Sequence, residues 1–393
     1  MNETAHVVLV GYGEVGTKSS SVRAKMESLL RTNLQAVLDD RSLSGHVDRE
    51  WSRILVRDPD DPEAVAAACA EVPGVVWARP CIACAPDLDA IVSTCRDLTV
   101  DHPDGASFAV DADRIGSSEQ HDFSSRDIER EAGSAVVDAT GAPVDLDNPE
   151  RTYRVECRED TAYLSARRFD GPGGLPLGTQ GKTISLVSGG IDSPVATWEL
   201  MRRGCEVVPV YIDLGDYGGA DHRARAIETV RTIARRAPNA NMRVHVVPAG
   251  DVVRRLMDTI EDTRMLSLRR VMLAIAAEVA ADEHAHSIVT GESLGQKSSQ
   301  TGGNLAVTGA AVDLPVHRPL LTRDKTDIVA EARELGTYDD STLPVGCERV
   351  APSYPETNAS LAAVEAAEPA DLFDLAAEAA HKRTVVSLDD DIK

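Results

Sequence analysis

Apolar residues recur along this chain at two spacings, every second position in short runs and every third or fourth position in longer ones, which predicts strands alternating with amphipathic helices. In the first helix, Met26, Leu29, Leu30, Leu34 and Val37 follow the helical spacing. The N-terminal elements are predicted, in order, as strand 6–10, helix 22–38, strand 53–57, helix 62–71 and strand 74–78. This split β-α-β order predicts a small ferredoxin-like α+β domain over residues 1–79.

The region over residues 80–170 has the pattern of a second small α/β domain. Its predicted elements are helix 88–98, strand 107–111, helix 125–140, strand 153–158 and strand 161–168. No cluster of residues with catalytic chemistry stands out in it. Residues 171–182 begin with a Gly- and Pro-rich run that is the clearest boundary in the chain, and they are predicted to form a linker.

From residue 183 onwards strands and helices alternate, which predicts a doubly wound parallel sheet over residues 183–360. The strands are predicted at 183–187, 206–213, 242–248 and 286–290, and the helices at 195–203, 222–237, 250–261, 265–284 and 324–335. The ligand of such a sheet binds outside the carboxyl ends of its strands. Residues 361–393, rich in Ala, Asp and Glu, are predicted as a helix followed by an acidic tail.

The segment Ser188-Gly189-Gly190-Ile191-Asp192-Ser193 directly follows the first of these parallel strands. Pro194 is predicted to open a helix that Gly204 ends. Such a turn directs backbone N–H groups and a helix N-terminus to one point, and its glycines allow a phosphate to come close. The segment lacks the Gly-Lys-Ser/Thr ending of a Walker A loop. An aspartate beside phosphates suits a residue that holds Mg²⁺, so Asp192 is a candidate magnesium ligand.

Two further Gly-containing segments follow predicted strands. Residues 290–300 are Gly-rich and polar straight after an apolar strand, which is typical of a ligand-binding loop. Residues 11–16 match the G-x-G-x-x-G pattern of a nicotinamide or flavin dinucleotide site. There, however, a polar run and a long helix take the place of the second strand that such a site requires. The α+β interpretation is therefore favoured, and a dinucleotide enzyme stays an alternative.

The chain has seven cysteines, an odd number that argues against a disulfide framework. Cys81 and Cys84 form a C-x-x-C pair with Cys69 before it and Cys95 after it, an arrangement that would suit a zinc site. No second close pair accompanies them, and Cys69 and Cys95 lie in helical patterns in which buried cysteines are common. Packing is therefore the favoured role, with zinc binding as the alternative.

Composition narrows the class of protein. The chain has 393 residues, of which 42% are hydrophobic, and no apolar run approaches the roughly 18 residues that span a membrane. Its first residues lack the features of a signal peptide, which predicts a cytoplasmic protein.

The net charge is −23 and only 7 of the 41 basic residues are Lys, which is typical of a protein from a salt-loving microbe. A large negative net charge repels nucleic acid. Because high salt screens that repulsion, the net charge does not exclude an RNA partner. Binding RNA would still require a local patch of Arg residues.

With these segments in place, the chain resembles the tRNA 4-thiouridine synthetases, also called tRNA sulfurtransferases. The most specific segments are 13–18 (GEVGTK), 188–196 (SGGIDSPVA), 290–301 (TGESLGQKSSQT), 318–320 (RPL), 324–325 (DK) and 336–338 (GTY). They occur in the family's order, and the resemblance covers nearly the whole chain. The resemblance implies that residues 80–170 are a THUMP RNA-binding domain and residues 183–360 a PP-loop ATP pyrophosphatase domain.

The resemblance also implies a reaction and its residues. ATP adenylates the C4 oxygen of uridine 8 in tRNA, and a persulfide sulfur then displaces AMP to leave 4-thiouridine. Asp192 would position Mg²⁺ and pyrophosphate, Lys325 would stabilise charge that develops during adenylation, and Cys347 would supply a reactive thiol. The alternatives are a solvated helix charge for Lys325 and for Arg269, and an unreactive loop cysteine for Cys347. The residues implied to bind ATP are Leu186, Val187, Ser188, Gly189, Gly190, Ser193, Tyr211, Ile212, Arg269, Gly291 and Gln300.

The chain also departs from parts of the family pattern. Many bacterial members carry a C-terminal rhodanese domain with the persulfide cysteine, for which this chain is too short, so the sulfur donor is expected to act in trans as a desulfurase, a carrier or free sulfide. Some archaeal members hold an iron–sulfur cluster through a C-x-x-C pair near helix 265–284, which is missing here. Members often form homodimers, and the sequence leaves the oligomeric state open. The competing hypotheses are a PP-loop ligase or amidotransferase for a small molecule, and a non-catalytic RNA-binding protein.

Overall fold

The computed structural model describes residues 5–50, 53–116, 121–218, 220–341 and 350–388. The chain divides into two compact units, with the boundary in the sequence between Pro176 and Leu177. Each unit is built on its own β-sheet. In the described part of the chain no helix is long and apolar enough to cross a membrane.

The first unit contains one eight-stranded sheet. Its elements are β1 (Ala5–Tyr12), α1 (Ser20–Asp40), β2 (His46–Glu50), β3 (Arg53–Arg57), α2 (Pro62–Cys69), β4 (Val75–Cys84), α3 (Leu88–Asp97), β5 (Phe108–Arg114), α4 (Ser125–Thr140), β6 (Arg151–Cys157), β7 (Ala162–Ser165) and β8 (Phe169–Asp170). The strand order is β2-β3-β1-β4-β7-β6-β5, with β8 paired to β4. All neighbouring strands are antiparallel except β5 and β6.

Strand β4 joins the two small domains expected in this region into a single sheet. Its ten residues are long enough to pair with β1 and also, through Ile82–Cys84, with β7. The helices pack on this sheet over two apolar cores, one containing Leu34 of α1 and Val65 of α2, the other Ile91 of α3 and Ile128 of α4. The backbone pairing is therefore continuous although the cores are separate. Strand β2 was not predicted because its sequence, HVDRE, has only one apolar residue.

The second unit contains a six-stranded sheet. Its elements are β9 (Lys182–Val187), α5 (Asp192–Arg202), β10 (Glu206–Asp213), α6 (Ala220–Ala234), β11 (Arg243–Pro248), α7 (Gly250–Thr259), α8 (Arg264–Glu283), β12 (Ser287–Val289), α9 (Gly302–Gly309), β13 (Val316–His317), α10 (Lys325–Leu335), α11 (Leu361–Ala367), α12 (Leu372–His381) and β14 (Thr384–Ser387). The strand order is β13-β12-β9-β10-β11-β14, and only β14 is antiparallel to its neighbour.

This order confirms the doubly wound parallel sheet and shows where its direction reverses. The chain proceeds from β9 to β10 and β11 on one side, and β12 and β13 lie on the other side of β9. The carboxyl end of β9 is therefore the switch point of the sheet, where ligands of such folds bind. Residues 188–193 follow β9 directly, so the fold places the Ser-Gly-Gly segment at that point.

The second unit also differs in detail from the sequence predictions. Helix α5 begins at Asp192, so Pro194 is its third residue and not its first. This start brings Asp192 itself into the first helical turn. The segment after residue 361 contains two helices and an edge strand, where one helix and an acidic tail were predicted. Helix α12 packs in the same core as α8, and Val386 of β14 pairs with Val244 of β11, so this segment completes the core and the sheet edge.

Candidate active site

The loop at 188–193 is closed by its two serines. Ser193 Oγ donates a hydrogen bond to Ser188 O at 3.1 Å and accepts one from Ser188 N at 2.9 Å, and Gly190 N donates to Ser188 Oγ at 3.3 Å. One turn further along α5, Thr197 Oγ1 donates to Ser193 O at 2.7 Å. These bonds hold the loop against the start of α5, whose first amides have no acceptor within the helix. The sequence thus builds a compact anion-binding turn at the switch point.

Two glycines allow other segments to approach this loop. A Cβ atom at Gly291 would lie 2.8 Å from the carbonyl carbon of Asp192 and 2.9 Å from Ser193 N. A Cβ atom at Gly189 would lie 3.3 Å from His222 O of α6. Because the nearest atoms at Gly291 are backbone, no side chain can rotate away to make room. The loop after β12 can therefore touch the start of α5 only with glycine at this position.

Asp192 is the charged centre of the site. Its Oδ1 accepts a hydrogen bond from Lys325 Nζ at 2.6 Å, and its Oδ2 accepts one from Gln296 Nε2 at 3.1 Å. The side chains of Lys325 and Asp192 are 46% and 23% exposed. Ion pairs as exposed as this stabilise a fold by about 0–1 kcal/mol. The pair is therefore better explained as part of a binding site than as a structural cross-link.

The oxygen atoms at this point suit a magnesium ion. Mg²⁺ prefers carboxylate and other oxygen ligands, and it is usually bound through one or two carboxylates together with substrate phosphates. Asp192 supplies the carboxylate. The buried Oε1 atom of Gln296 has no hydrogen-bond partner among the described residues, so a second oxygen there is unsatisfied. The residues present fit Mg²⁺, with Asp192 as the ligand expected from the sequence.

Arg269 lies in the second turn of α8 and is held by three groups. Its Nη1 donates to Glu292 Oε1 at 2.7 Å and its Nε donates to Ser299 Oγ at 2.9 Å. In the orientation that satisfies both ends of its amide, Gln300 accepts from Arg269 Nη2 at 3.1 Å and donates to Ser293 O at 2.7 Å. The fold therefore brings Arg269 and Gln300 together, and Arg269 is not a free charge on a solvated helix face.

The four predicted contact residues on β9 and β10 lie on neighbouring strands. Tyr211 pairs with Val187, and Val210 pairs with Leu186. The side chains of Val187, Tyr211 and Ile212 are buried in the apolar cores. A ligand at this edge would therefore meet their backbone atoms rather than their side chains.

Cys347 lies outside the described residues. Burial raises the pKa of Cys69, Cys81 and Cys95 to about 12 and that of Cys157 to about 11. Burial also raises the pKa of Cys84 and of Cys205. Thiols of this kind are almost fully protonated at neutral pH and react poorly. None of the six described cysteines thus has the environment of a sulfur-transferring thiolate.

The cysteines considered for zinc are distributed over separate cores. Cys69, the last residue of α2, packs in the core that also contains α1. Cys84 of β4 and Cys95 of α3 pack in the core that also contains α4, and Cys81 packs with residues of β1 and β7. Within the described ranges no group of three or more His, Cys, Asp or Glu residues is arranged to hold a metal ion. Their burial among apolar side chains accords with a packing role.

The first unit carries an arginine-rich groove of about 470 Å³. Its basic lining residues are Arg151, Arg154, Arg167 and Arg168. Arg151 is held by backbone carbonyls, donating to Ala166 O at 2.9 Å and to Asp101 O at 3.1 Å. The other three pair with single carboxylates, those of Asp111, Glu63 and Asp170. In a chain of net charge −23, this groove is a local concentration of guanidinium groups.

No individual role was predicted from the sequence for Gln296, Glu292 or Arg318. All three lie in segments that the resemblance singled out, at 290–301 and 318–320. The signal that could have found them was the presence of charged and amide side chains in a Gly-rich loop straight after an apolar strand. Only the folded chain shows that Gln296 contacts Asp192 and that Glu292 contacts both Arg269 and Arg318.

Comparisons with known proteins match most of the chain. Residues 7–78 match the "ThiI ferredoxin-like domain", residues 85–167 the "THUMP domain", and residues 178–373 the family described as "Thiamine biosynthesis protein (ThiI)". A "Probable tRNA sulfurtransferase" of Halobacterium salinarum is 51% identical over 95% of each chain. One of Methanosarcina acetivorans is 39% identical over 90% of this chain and 87% of its own.

A solved structure titled "Crystal structure of a 4-thiouridine synthetase - RNA complex with bound ATP" is also similar. It is 27% identical, covers 97% of this chain and 99% of its own, and superposes with a TM-score of 0.84. These matches confirm the predicted fold classes, and the fold and the loop at the switch point define a PP-loop protein with an N-terminal THUMP module. The chain belongs to the tRNA sulfurtransferase family.

Proposed function

We propose that this protein uses ATP to transfer sulfur to uridine 8 of tRNA, forming 4-thiouridine through an adenylated uridine. The observation that carries the proposal is the meeting of Asp192 and Lys325 beside a closed phosphate-type loop at the switch point of the sheet. The similar structure of a 4-thiouridine synthetase has ATP and RNA bound, which supports the same two ligands here.

In the first step the C4 oxygen of uridine attacks the α-phosphorus of ATP, and the bond from that phosphorus to the leaving pyrophosphate breaks. The backbone amides of Gly189 and Gly190 and the hydroxyls of Ser188 and Ser193 bind the phosphates. Lys325 balances the negative charge that grows on the transferring phosphoryl group. Asp192 would hold Mg²⁺, and the ion would supply positive charge to offset that of the phosphates. Arg269, Gly291, Gln300 and the backbone at Leu186, Val187, Tyr211 and Ile212 bind the nucleotide.

In the second step a sulfur nucleophile attacks C4 of the adenylated uridine, and the C4–oxygen bond breaks to release AMP. Esterification to AMP is what turns the poorly leaving carbonyl oxygen into a good leaving group. We assign the reactive thiol to Cys347, because the pKa of each of the six described cysteines is raised by burial. Cys347 takes its outer sulfur from a persulfide donor in trans, whose own thiolate is the leaving group. Attack on C4 by that outer sulfur leaves C4 joined to Cys347 through an S–S bond. A thiol in trans then attacks Cys347 Sγ, which releases 4-thiouridine and leaves a mixed disulfide that a further thiol reduces.

The groove of Arg151, Arg154, Arg167 and Arg168 supports tRNA as the substrate. Guanidinium groups bind phosphate oxygens in a fixed planar geometry. The groove lies in the first unit, whose residues 85–167 match the THUMP domain. A local cluster of arginines of this kind, whose carboxylate partners phosphate groups can replace, suits RNA binding by an acidic protein.

The test is nucleoside mass analysis of tRNA from cells that lack this gene, complemented with the wild-type protein or with Asp192→Ala. We expect 4-thiouridine to disappear in the deletion strain and to return only with the wild-type protein. Unchanged 4-thiouridine in the deletion strain would overturn the proposal in favour of a ligase that acts on a small molecule. Restoration by Asp192→Ala would instead support a protein that binds RNA without catalysing the reaction itself.

A further inference from the structure

Glu292 links three segments around the nucleotide site. Its side chain is only 6% exposed. It accepts hydrogen bonds from Arg269 Nη1 at 2.7 Å, from Arg318 Nε at 2.6 Å and from Thr290 Oγ1 at 3.0 Å. One carboxylate thus joins the loop after β12 to α8 and to the segment after β13.

The charges in this cluster do not balance. Neither Arg269 nor Arg318 has a second carboxylate partner within the described residues. Two guanidinium groups therefore share one buried carboxylate, which leaves one positive charge in a partly buried place. An uncompensated charge of this kind is costly unless a ligand of opposite sign completes the set. ATP is such a ligand.

The same loop connects the cluster to Asp192 and to Lys325. Gln296, four residues after Glu292, donates to Asp192 at 3.1 Å. Ser293 Oγ donates to Arg323 O at 3.3 Å, and Leu294 N donates to Leu321 O at 3.0 Å, which ties the loop to the segment that ends at Lys325. A change in the position of Glu292 would therefore be passed to Asp192 and to the segment that precedes Lys325.

We propose that Glu292 is a positioning residue for ATP, an inference that rests on the proposed function. Its carboxylate fixes the Arg269 guanidinium, together with Ser299 and Gln300, in the orientation in which the unbalanced positive charge meets the nucleotide. Glu292 acts through Arg269 and does not itself contact the ligand. Arg318 completes the arrangement by holding the second oxygen of the carboxylate.

The experiment is a double-mutant cycle on the dissociation constant of ATP, measured by calorimetry without tRNA for the wild type, Glu292→Gln, Arg269→Met and the double variant. We expect Glu292→Gln to weaken ATP binding about tenfold in the wild-type background and less than twofold in the Arg269→Met background, because contacting groups couple. Equal effects in the two backgrounds, or no effect of Glu292→Gln, would overturn the inference.

A matched control separates positioning from general stability. Glu368 is another buried carboxylate, 5% exposed, and it pairs with Arg270 of the same helix α8 at 2.8 Å. Glu368→Gln should lower the melting temperature while the ATP dissociation constant stays within twofold of the wild type. A tenfold weaker affinity for Glu368→Gln would instead assign the Glu292 effect to loss of stability and overturn the inference.

A second variant guards against misfolding of Glu292→Gln. The double variant Glu292→Gln with Arg318→Met removes one charge of each sign. It should show the same tenfold loss of ATP affinity, because Arg269 still lacks the carboxylate that holds it. Absence of that loss would count against the inference. If the wild-type protein itself does not bind ATP, the proposed function fails as well. If it binds ATP and the cycle is additive, the positioning role alone fails.

Discussion

Lys325 Nζ lies 2.6 Å from Asp192 Oδ1, although 133 positions separate the two residues in the sequence. One begins α10 and the other begins α5, so two helix N-termini meet at this pair. Because both side chains are partly exposed, each can release the other and bind a ligand that carries the same charge as its lost partner. A phosphate group can take the place of the carboxylate at Lys325, and a magnesium ion the place of the ammonium at Asp192.

Lys325→Ala should therefore reduce adenylation more than it reduces stability. We expect pyrophosphate release in a single turnover with tRNA to slow by about 10²–10³-fold, the usual effect of removing one charge-stabilising donor. The melting temperature should change little, because an exposed pair contributes at most about 1 kcal/mol. Lys382→Ala, which removes an exposed lysine paired with Glu378, is the control and should leave the rate unchanged. A normal rate for Lys325→Ala would remove this residue from the mechanism.

Gly291→Ala should weaken ATP binding and destabilise the second unit. The added methyl group would meet backbone atoms of Asp192 and Ser193 within 3 Å, which forces the two segments apart. Overpacking of this kind costs about 1–3 kcal/mol. Gly302→Ala is the matched control, since nothing lies within 4 Å of its added carbon. Calorimetric ATP titration and thermal melting of both variants would check this, and equal behaviour of the two would contradict the packing argument.

Arg168→Gln should weaken tRNA binding and reduce its dependence on salt. Removing one arginine–phosphate interaction lowers the slope of the logarithm of affinity against the logarithm of salt concentration by about 1. Arg130→Gln is the control, because Arg130 is also exposed and paired with carboxylates but does not line the groove. Filter binding of tRNA at several salt concentrations measures both slopes. Identical slopes for the two variants would exclude the groove as an RNA-binding surface.

Cys347 should be the cysteine that reacts first with iodoacetamide in the native protein near pH 8. The raised pKa values of the other six keep them protonated, and five of them are also buried. Peptide mapping by mass spectrometry after a short exposure identifies the modified residue. Cys347→Ala should remove the early label and abolish thiolation, whereas Cys205→Ala should do neither. Early labelling of Cys205 would show that burial does not control reactivity here.

The first unit should lose stability at alkaline pH. The folded pKa of Cys81 is raised to about 12 by burial, above the unfolded value of about 8.5. As the pH rises through this window the unfolded state loses the proton first, so each such thiol lowers the free energy of unfolding by about 1.4 kcal/mol per pH unit. Below about pH 8.5 the thiol is protonated in both states and this effect is absent.

Cys81→Ala should therefore make the decline of stability between pH 9 and 11 less steep by about that amount. Val7→Ala, which truncates a neighbour in the same core, should lower stability at every pH without changing the slope. Proteolysis in urea, with peptides of the first unit followed by mass spectrometry, gives the free energies. A slope that is the same for Cys81→Ala and the wild type would refute the assignment to this thiol.

Much of the fold follows from local pattern. The apolar periodicity located α8 to within one residue at each end, and the strand–loop–helix at 183–203 was predicted from an apolar run followed by Ser-Gly-Gly. Strand β2 and the edge strand β14 were missed because few apolar residues mark them. Strand β14 forms by pairing with the edge of β11. The local sequence of β14 does not show that this edge is available, so the strand could not be predicted from it.

The sequence by itself determined which segments bring chemistry to the site, because a Ser-Gly-Gly-x-Asp-Ser turn after a buried strand and a Gly-rich polar loop after another are local features. Only the tertiary structure decided how those residues pair. The switch point at β9 brings β10 and β12 to either side of the loop, so that Lys325 and Gln296 both reach Asp192 and Glu292 reaches Arg269. Contacts of this kind depend on the order of strands in a sheet, which a linear pattern of apolar residues does not contain.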